Sequence, residues 1–154
     1  KGETILRVFV DGEEATTLAK PRPGKYRIDG LPAGDHLVRV AVATERQAGP
    51  PAYAHGGALA ALIDEAMGAA AHLSGSRVVA VHLSFDYKHP VPLGVTVQIT
   101  GKIESKDGRK VFTLGSVTLP DGTVAVTGRG IFVEAPQFFD GEPPFEFAVV
   151  PDAS

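Results

Sequence analysis

The stretch His55-Gly56-Gly57-Ala58-Leu59-Ala60-Ala61-Leu62-Ile63-Asp64-Glu65-Ala66-Met67-Gly68-Ala69-Ala70-Ala71-His72-Leu73 decides how the rest of the chain must be read. Ala58 to Leu73 predicts one helix, rich in alanine, free of proline and stopped by Ser74-Gly75-Ser76. Its side chains are apolar all round, which suits burial on every side, and the small ones allow a sheet or a second helix to come close. Set inside it are two neighbouring carboxylates, Asp64 and Glu65. Burying a carboxylate is costly unless something uses or compensates the charge, so the pair marks a candidate catalytic site. No Ser, Thr, Asp or Asn stands at the helix start. Gly56 and Gly57 open it instead, with amides expected to be bare and sterically approachable.

Upstream, Gly49-Pro50-Pro51 imposes an extended, stiff approach, so Ala52-Tyr53-Ala54 delivers His55 and the glycines in a restrained conformation. His36 to Thr44 predicts a strand. So do the shorter Lys25 to Ile28 and Thr4 to Val10, the latter ending at the turn signal Asp11-Gly12 with no evident partner. Downstream come four β segments, Val78 to Lys88, Val95 to Ser105, Lys110 to Leu119 and Thr123 to Glu134. Pro90 to Gly94, Lys106-Asp107-Gly108 and Pro120-Asp121-Gly122 separate them, and an antiparallel meander is the simplest arrangement. Val95, Val97 and Ile99 alternate with Thr96, Gln98 and Thr100, so one sheet face is buried and the other is wetter. The buried face needs a cover, and the one strongly helical segment can supply it. After Ala135, prolines interleave with Phe138, Phe139, Phe145 and Phe147, which predicts an extended strap over exposed apolar surface.

Composition narrows the function classes. At 154 residues the chain is expected to be one domain with one sizeable core. Its body covers about 35–134, with an extra segment at 1–34 and the strap at 135–154. The apolar fraction of 44% and charged fraction of 21% suit a globular protein rather than a disordered or membrane-spanning one. A net charge of −3, with lysines and arginines scattered singly, offers no basic stripe for nucleic acid. Zero cysteines exclude a disulfide scaffold, thiolate chemistry and cysteine-based zinc sites, and the five histidines lack metal-ligand spacing. No metal is expected, and the cytoplasm is the default compartment.

The Gly-Pro-Pro approach, His55-Gly56-Gly57, the apolar helix with Asp64 nine residues after the histidine, and Phe85-Asp86-Tyr87-Lys88-His89-Pro90 together resemble the PaaI-like hotdog-fold acyl-CoA thioesterases. The resemblance runs from about Leu37 to Val133. It implies an α+β hotdog fold, a curved antiparallel sheet wrapped around one long central helix, and subunits paired as dimers that often form tetramers. It also implies metal-independent hydrolysis of a thioester, with coenzyme A as part of the substrate and no separate cofactor. Asp64 is then the general base or nucleophile, the Gly56 amide polarises the thioester carbonyl, and His55 positions the substrate. Family members often carry Thr or Ser at the start of the strand after the helix, where this chain has Ala80. His82 and Ser84, sharing its parity along that strand, are candidates for part of that role.

Helix geometry independently favours a dimer. Gly57 and Asp64 lie near the same helix face but about 10 Å apart along the axis. One carbonyl carbon cannot be served by both, because donor and attacking group must each sit about 3 Å from the reacting atoms. A two-fold axis setting two such helices antiparallel brings the amide end of one beside the carboxylate of the other. Helix N-terminal amides suit a developing oxyanion, and apolar neighbours make Asp64 a stronger base than in water. Direct attack and water activation both remain open at this point, and Glu65 is the alternative catalyst. Arg109 and Lys110, after a hairpin turn, are candidates for contact with coenzyme A phosphates, against the plainer reading of solvated charges. Two other function classes stay in view: a hotdog module that binds acyl-CoA without turnover, and a hotdog hydratase or dehydratase.

Overall fold

The predicted helix forms as α1, Gly56–Leu73, in a computed structural model that describes residues 4–14, 19–22, 25–28, 35–43, 52–138 and 146–148. It lies across one face of a seven-stranded antiparallel sheet and touches five strands of it. In chain order the strands are β1 (Thr4–Val10), β2 (Glu13–Glu14), β3 (Ala19–Arg22), β4 (Lys25–Ile28), β5 (Val38–Ala43), β6 (Val78–Tyr87), β7 (Thr96–Asp107), β8 (Lys110–Thr118), β9 (Val124–Glu134) and β10 (Glu146–Ala148). The large sheet runs β2-β1-β5-β7-β8-β9-β6, and β10-β4-β3 form a second, smaller one. This sheet-and-helix arrangement is the expected hotdog fold.

The sheet accepts the helix because of a row without side chains. Gly101 pairs with Gly115 across β7 and β8, and Gly115 with Gly128 across β8 and β9. A Cβ at Gly101 would fall on the Ala66–Met67 peptide, and one at Gly115 or Gly128 would lie 2.5 or 2.8 Å from Ile63 Cγ2. Backbone can approach that closely only where no Cβ intervenes. Ile63 and Met67 therefore sink fully into the core beside Val97, Ile99, Val117 and Val126. Burial of Val97 and Ile99, with Thr96 exposed and Gln98 and Thr100 half-buried, matches the alternation in the sequence.

Two topological expectations change. The four segments after the helix are not one meander: β7, β8 and β9 are, but β6 pairs with β9 and forms a sheet edge. The reason lies in the Pro90–Gly94 region, which does not close a hairpin. It pairs with the approach to the helix through a Tyr53–Pro92 bridge, Ala54 N–H to Val91 O (2.8 Å) and Leu93 N–H to Ala52 O (3.0 Å). That bracing is also what restrains Ala52-Tyr53-Ala54. The strand without an evident partner, β1, pairs with β5 and with β2. Asp11 and Gly12 take φ of 52° and 84° at the β1–β2 turn, as a two-residue hairpin requires. The tail contributes one extended piece, β10, to the small sheet. The expectations for Pro50-Pro51 and for 139–145 and 149–154 fall outside the described residues. Among the described residues no helix is long and apolar enough to cross a membrane.

Candidate active site

The helix start carries a cap after all. His55 is the N-cap, extended at φ −71° and ψ 131°, and its Nδ1 accepts the Gly57 N–H at 2.9 Å. A histidine Nδ1 sits about where an Asn or Asp oxygen would, so it satisfies the same orphan donor. The Gly57 amide is thus occupied rather than bare. The acceptor role also fixes the tautomer: a neutral His55 holds its proton on Nε2. Gly56 is different, since its N–H meets no acceptor among the described residues. Its carbonyl accepts from Tyr87 Oη at 2.8 Å. A cavity of about 320 Å³ opens here, lined by Tyr53, Gly56, Leu59, Tyr87, His89 and Val91. An amide at a helix N-terminus beside a cavity is a ready site for developing negative charge.

Asp64 stands two turns further along α1. It is half-buried, and burial pushes its carboxyl above the ordinary carboxylate range. Among the described residues it makes no hydrogen bond or ion pair, and none of them offsets that desolvation. Burial on every side is not achieved within one chain. Gly57, Ala61, Asp64, Gly68 and His72 recur at helical spacing as a stripe that stays partly open, while Leu59, Leu62, Ile63, Ala66 and Met67 face inward. Asp64 sits in the middle of that stripe among small residues, and Glu65 is half-buried beside it. Eight residues of rise separate Gly56 from Asp64 by about 12 Å, so one chain does not bring both to one atom.

The parity argument for His82 and Ser84 fails on a bulge. The pairing of β6 with β9 shifts between Ala80 and His82, so Ala80 opposes Phe132 whereas His82 opposes Ile131 and Ser84 opposes Arg129. Partners across a ladder share a face, and Phe132 is buried against α1 near Gly68. Ala80, Leu83, Phe85 and Tyr87 therefore belong to the helix side, with Phe85 3.1 Å from where a Gly128 Cβ would be. His82 and Ser84 share the outer face with Asp86, which lines a separate cavity of about 530 Å³ with Thr100, Ser116 and Arg129. Within one chain they do not join the helix-side group. A single inserted residue leaves no mark in a strand sequence, and Val81, 57% exposed, is the only trace.

Arg109 closes the β7–β8 turn and Lys110 opens β8, at the end of the sheet nearest the C-terminus of α1. Arg109 donates to Glu134 O at 2.9 Å, and Glu134 N–H to Arg109 O at 2.9 Å, which ties the turn to β9. The structure does not bring them to Gly56 or Asp64 of the same chain. Tyr87 is the site residue that sequence reasoning passed over. It was visible as an aromatic inside Phe85-Asp86-Tyr87-Lys88-His89-Pro90, but no spacing rule connects it to a glycine on another element.

Comparison with known proteins agrees with the fold. Residues 52–126 fit the family model described as Thioesterase superfamily, a span that includes the whole of α1, β6, β7 and β8. Acyl-coenzyme A thioesterase THEM4 of Xenopus laevis is 42% identical over 79 residues, 51% of this chain and 36% of that protein. The chain thus spans about a third of the length of that curated relative. A solved structure of a thioesterase superfamily protein is 38% identical at a TM-score of 0.61, covering 64% of this chain and 49% of that one. The phenylacetic acid degradation protein PaaI of Thermus thermophilus, solved as a mutant, shares the fold at a TM-score of 0.60 and 24% identity, over 73% of this chain and 94% of its own. The central helix, the sheet order and the matched segment agree on a hotdog fold, and residues 52–126 are similar to the Thioesterase superfamily.

Proposed function

We propose that this chain hydrolyses acyl-CoA or a related acyl thioester as a homodimer, each site taking its carboxylate from one protomer and its oxyanion donor from the other. The observation that carries the reading is a pair of unmet needs on α1: a desolvated Asp64 and a Gly56 N–H, both without a partner among the described residues and too far apart to act together in one chain. Antiparallel packing of two α1 helices along the open stripe around Ala61, Asp64 and Gly68 answers both at once. The exposed edge of β6, with Val81 and Tyr87 more than half exposed, gives such a dimer further apolar surface to bury. The thioesterase activity of the THEM4 relative supports the reaction class.

In this mechanism the thioester carbonyl lies against Gly56 N–H. Asp64 of the other protomer either takes a proton from the attacking water or attacks directly to form an anhydride that water then opens. Negative charge moves onto the carbonyl oxygen and is met by the Gly56 amide, a donor typically worth roughly 3 to 4 kcal/mol in the barrier. Collapse expels coenzyme A as thiolate. His55 acts from its Nε2 side, because its Nδ1 is committed to Gly57. Coenzyme A is part of the substrate, and no step calls for a metal or a separate cofactor.

The reading is tested by thiol release over a panel of acyl-CoAs, beside Asp64→Asn and Asp64→Ala. Both variants should lose at least about a hundredfold in rate with folding retained. Near-normal turnover in either rejects the assignment. One observation favours a second reading, an acyl-CoA-binding module without turnover: the helix face of β6 carries Ala80 where family members often place a hydroxyl. Tight binding of an acyl-CoA with no thiol released by the wild-type protein would establish that reading instead.

A further inference from the structure

We infer that Tyr87 is a positioning residue for the oxyanion donor: together with His55 it holds the Gly56–Gly57 peptide from both ends, so that the neighbouring Gly56 N–H stays aimed at the substrate. This rests on the Gly56 role proposed above. The peptide between Gly56 and Gly57 has one donor and one acceptor, and the structure engages both. His55 Nδ1 takes the N–H at 2.9 Å, and Tyr87 Oη donates to the C=O at 2.8 Å. The Tyr87 ring also lies flat enough against the glycine that a Cβ at Gly56 would meet its Cε1 at 3.2 Å.

A clamp is needed at this point. Two consecutive glycines have more backbone freedom than any other pair, and a helix N-terminus is where hydrogen bonding is thinnest. Left to themselves they would let the first amide swing, whereas an oxyanion donor works only when it is oriented before charge develops. Fixing the plane of the next peptide removes the rotation about Gly56 ψ and leaves its N–H pointing out of the helix. Tyr87 reaches this position from the last residue of β6, the strand whose far edge is open to a partner. The hydroxyl thus couples the edge strand to the donor, although it touches no reacting atom itself.

The test compares Tyr87→Phe with the wild-type protein in two measurements. In thiol release, loss of one neutral hydrogen bond that acts through the donor should lower kcat about three- to tenfold, with KM within about twofold and the melting temperature nearly unchanged. A purely structural tyrosine would move the melting temperature and leave kcat alone. The second measurement needs no substrate: amide hydrogen exchange at Gly57, followed by NMR, should quicken at least about tenfold in Tyr87→Phe while exchange in the middle of α1 stays put. If the wild-type protein hydrolyses no thioester, the catalytic reading falls, and the exchange experiment still decides whether the clamp exists. Unchanged exchange at Gly57 in Tyr87→Phe, or an unchanged kcat in an active enzyme, overturns the inference.

Discussion

Substituting Gly101 by alanine places one methyl group where the structure has no room for it. The added Cβ would lie on the Ala66–Met67 peptide, with Met67 N at 2.6 Å. Carbon and backbone atoms in contact settle near 3.5 Å, so α1 and β7 must separate by on the order of 1 Å. Neither side of the clash is the end of a flexible side chain. Overpacking costs about 1 to 3 kcal/mol, and a clash between two backbones belongs at or above the top of that range. For a chain of this size about 3 kcal/mol corresponds to a melting temperature lower by roughly 6 to 12 °C. Because α1 carries both Gly56 and Asp64, the same shift should also lower thioester hydrolysis measured well below the melting temperature. Gly115→Ala, which meets the Ile63 methyl at 2.5 Å and Thr100 O at 2.9 Å, should cost less, since Ile63 can turn. Gly68→Ala is the opposite case. Within one protomer its Cβ would make ordinary contact with Phe132 Cε2 at 3.8 Å, so replacing this helical glycine should stabilise the protomer by up to about 1 kcal/mol, while the added methyl enters the proposed helix–helix seam and should weaken dimerisation. Urea titrations and thermal melts of the three variants give the order directly. A Gly101→Ala protein melting within a degree or two of wild type would refute the seating of α1 on this glycine row.

Three further outcomes are expected. Burial raises the Asp64 pKa, so the fold loses stability as pH rises above the unfolded value of 3.8 and the carboxylate is forced to ionise in place; Asp64→Asn should melt above wild type at pH 7, with the gap closing as pH falls toward 3.8. Asp11 behaves in the opposite sense. Its carboxyl is held low by the His36 side chain at 2.6 Å and then by Leu37 N–H at 2.8 Å, so its stabilising contribution is present above 3.8 and lost as pH falls through the depressed value. Asp11→Asn should therefore lower the melting temperature at pH 7 and leave it equal to wild type in strong acid. Val81→Lys puts a charge on the exposed edge of β6 and should shift sedimentation from dimer to monomer with loss of hydrolysis; a fully dimeric Val81→Lys protein would place the interface elsewhere.

The helix and its strands were legible because their signals are local. Alternation of Val97 and Ile99 with threonine and glutamine, the Asp107-Gly108 and Asp121-Gly122 turns, and the proline-free alanine run each carry their own period, and each element appears within a residue or two of its expected bounds. What was missed depends on contacts between distant residues. The place of β6 at the sheet edge follows from Pro92 bonding to Tyr53 rather than closing a hairpin, which no local rule distinguishes. The bulge at Val81 reverses the face of His82 and Ser84 without changing composition. His55 as a capping residue and His55 as a substrate-positioning residue read alike in the sequence, and only Nδ1 on the Gly57 amide tells them apart. The open stripe on α1 was hidden because alanines read as core whichever way they face. It is also what makes Asp64 more legible in the structure than in the sequence, since only there is the carboxylate seen to lack a partner.

Shared sites between protomers can be measured by mixing two defects. Gly56→Pro deletes the proposed donor at the first helical position, where the backbone suits proline and the extended His55 before it is compatible, although its Cβ requires the Tyr87 ring to give by a few tenths of an ångström. Asp64→Asn deletes the proposed base. Each homodimer should be nearly inactive. Co-expressed in equal amounts, half of the dimers pair one of each, and every such dimer holds one intact site, so hydrolysis should return to about a quarter of the wild-type rate per protomer. Activity no greater than the two parents alone, in a sample shown to contain the mixed dimer, would contradict a site built from Gly56 of one chain and Asp64 of the other.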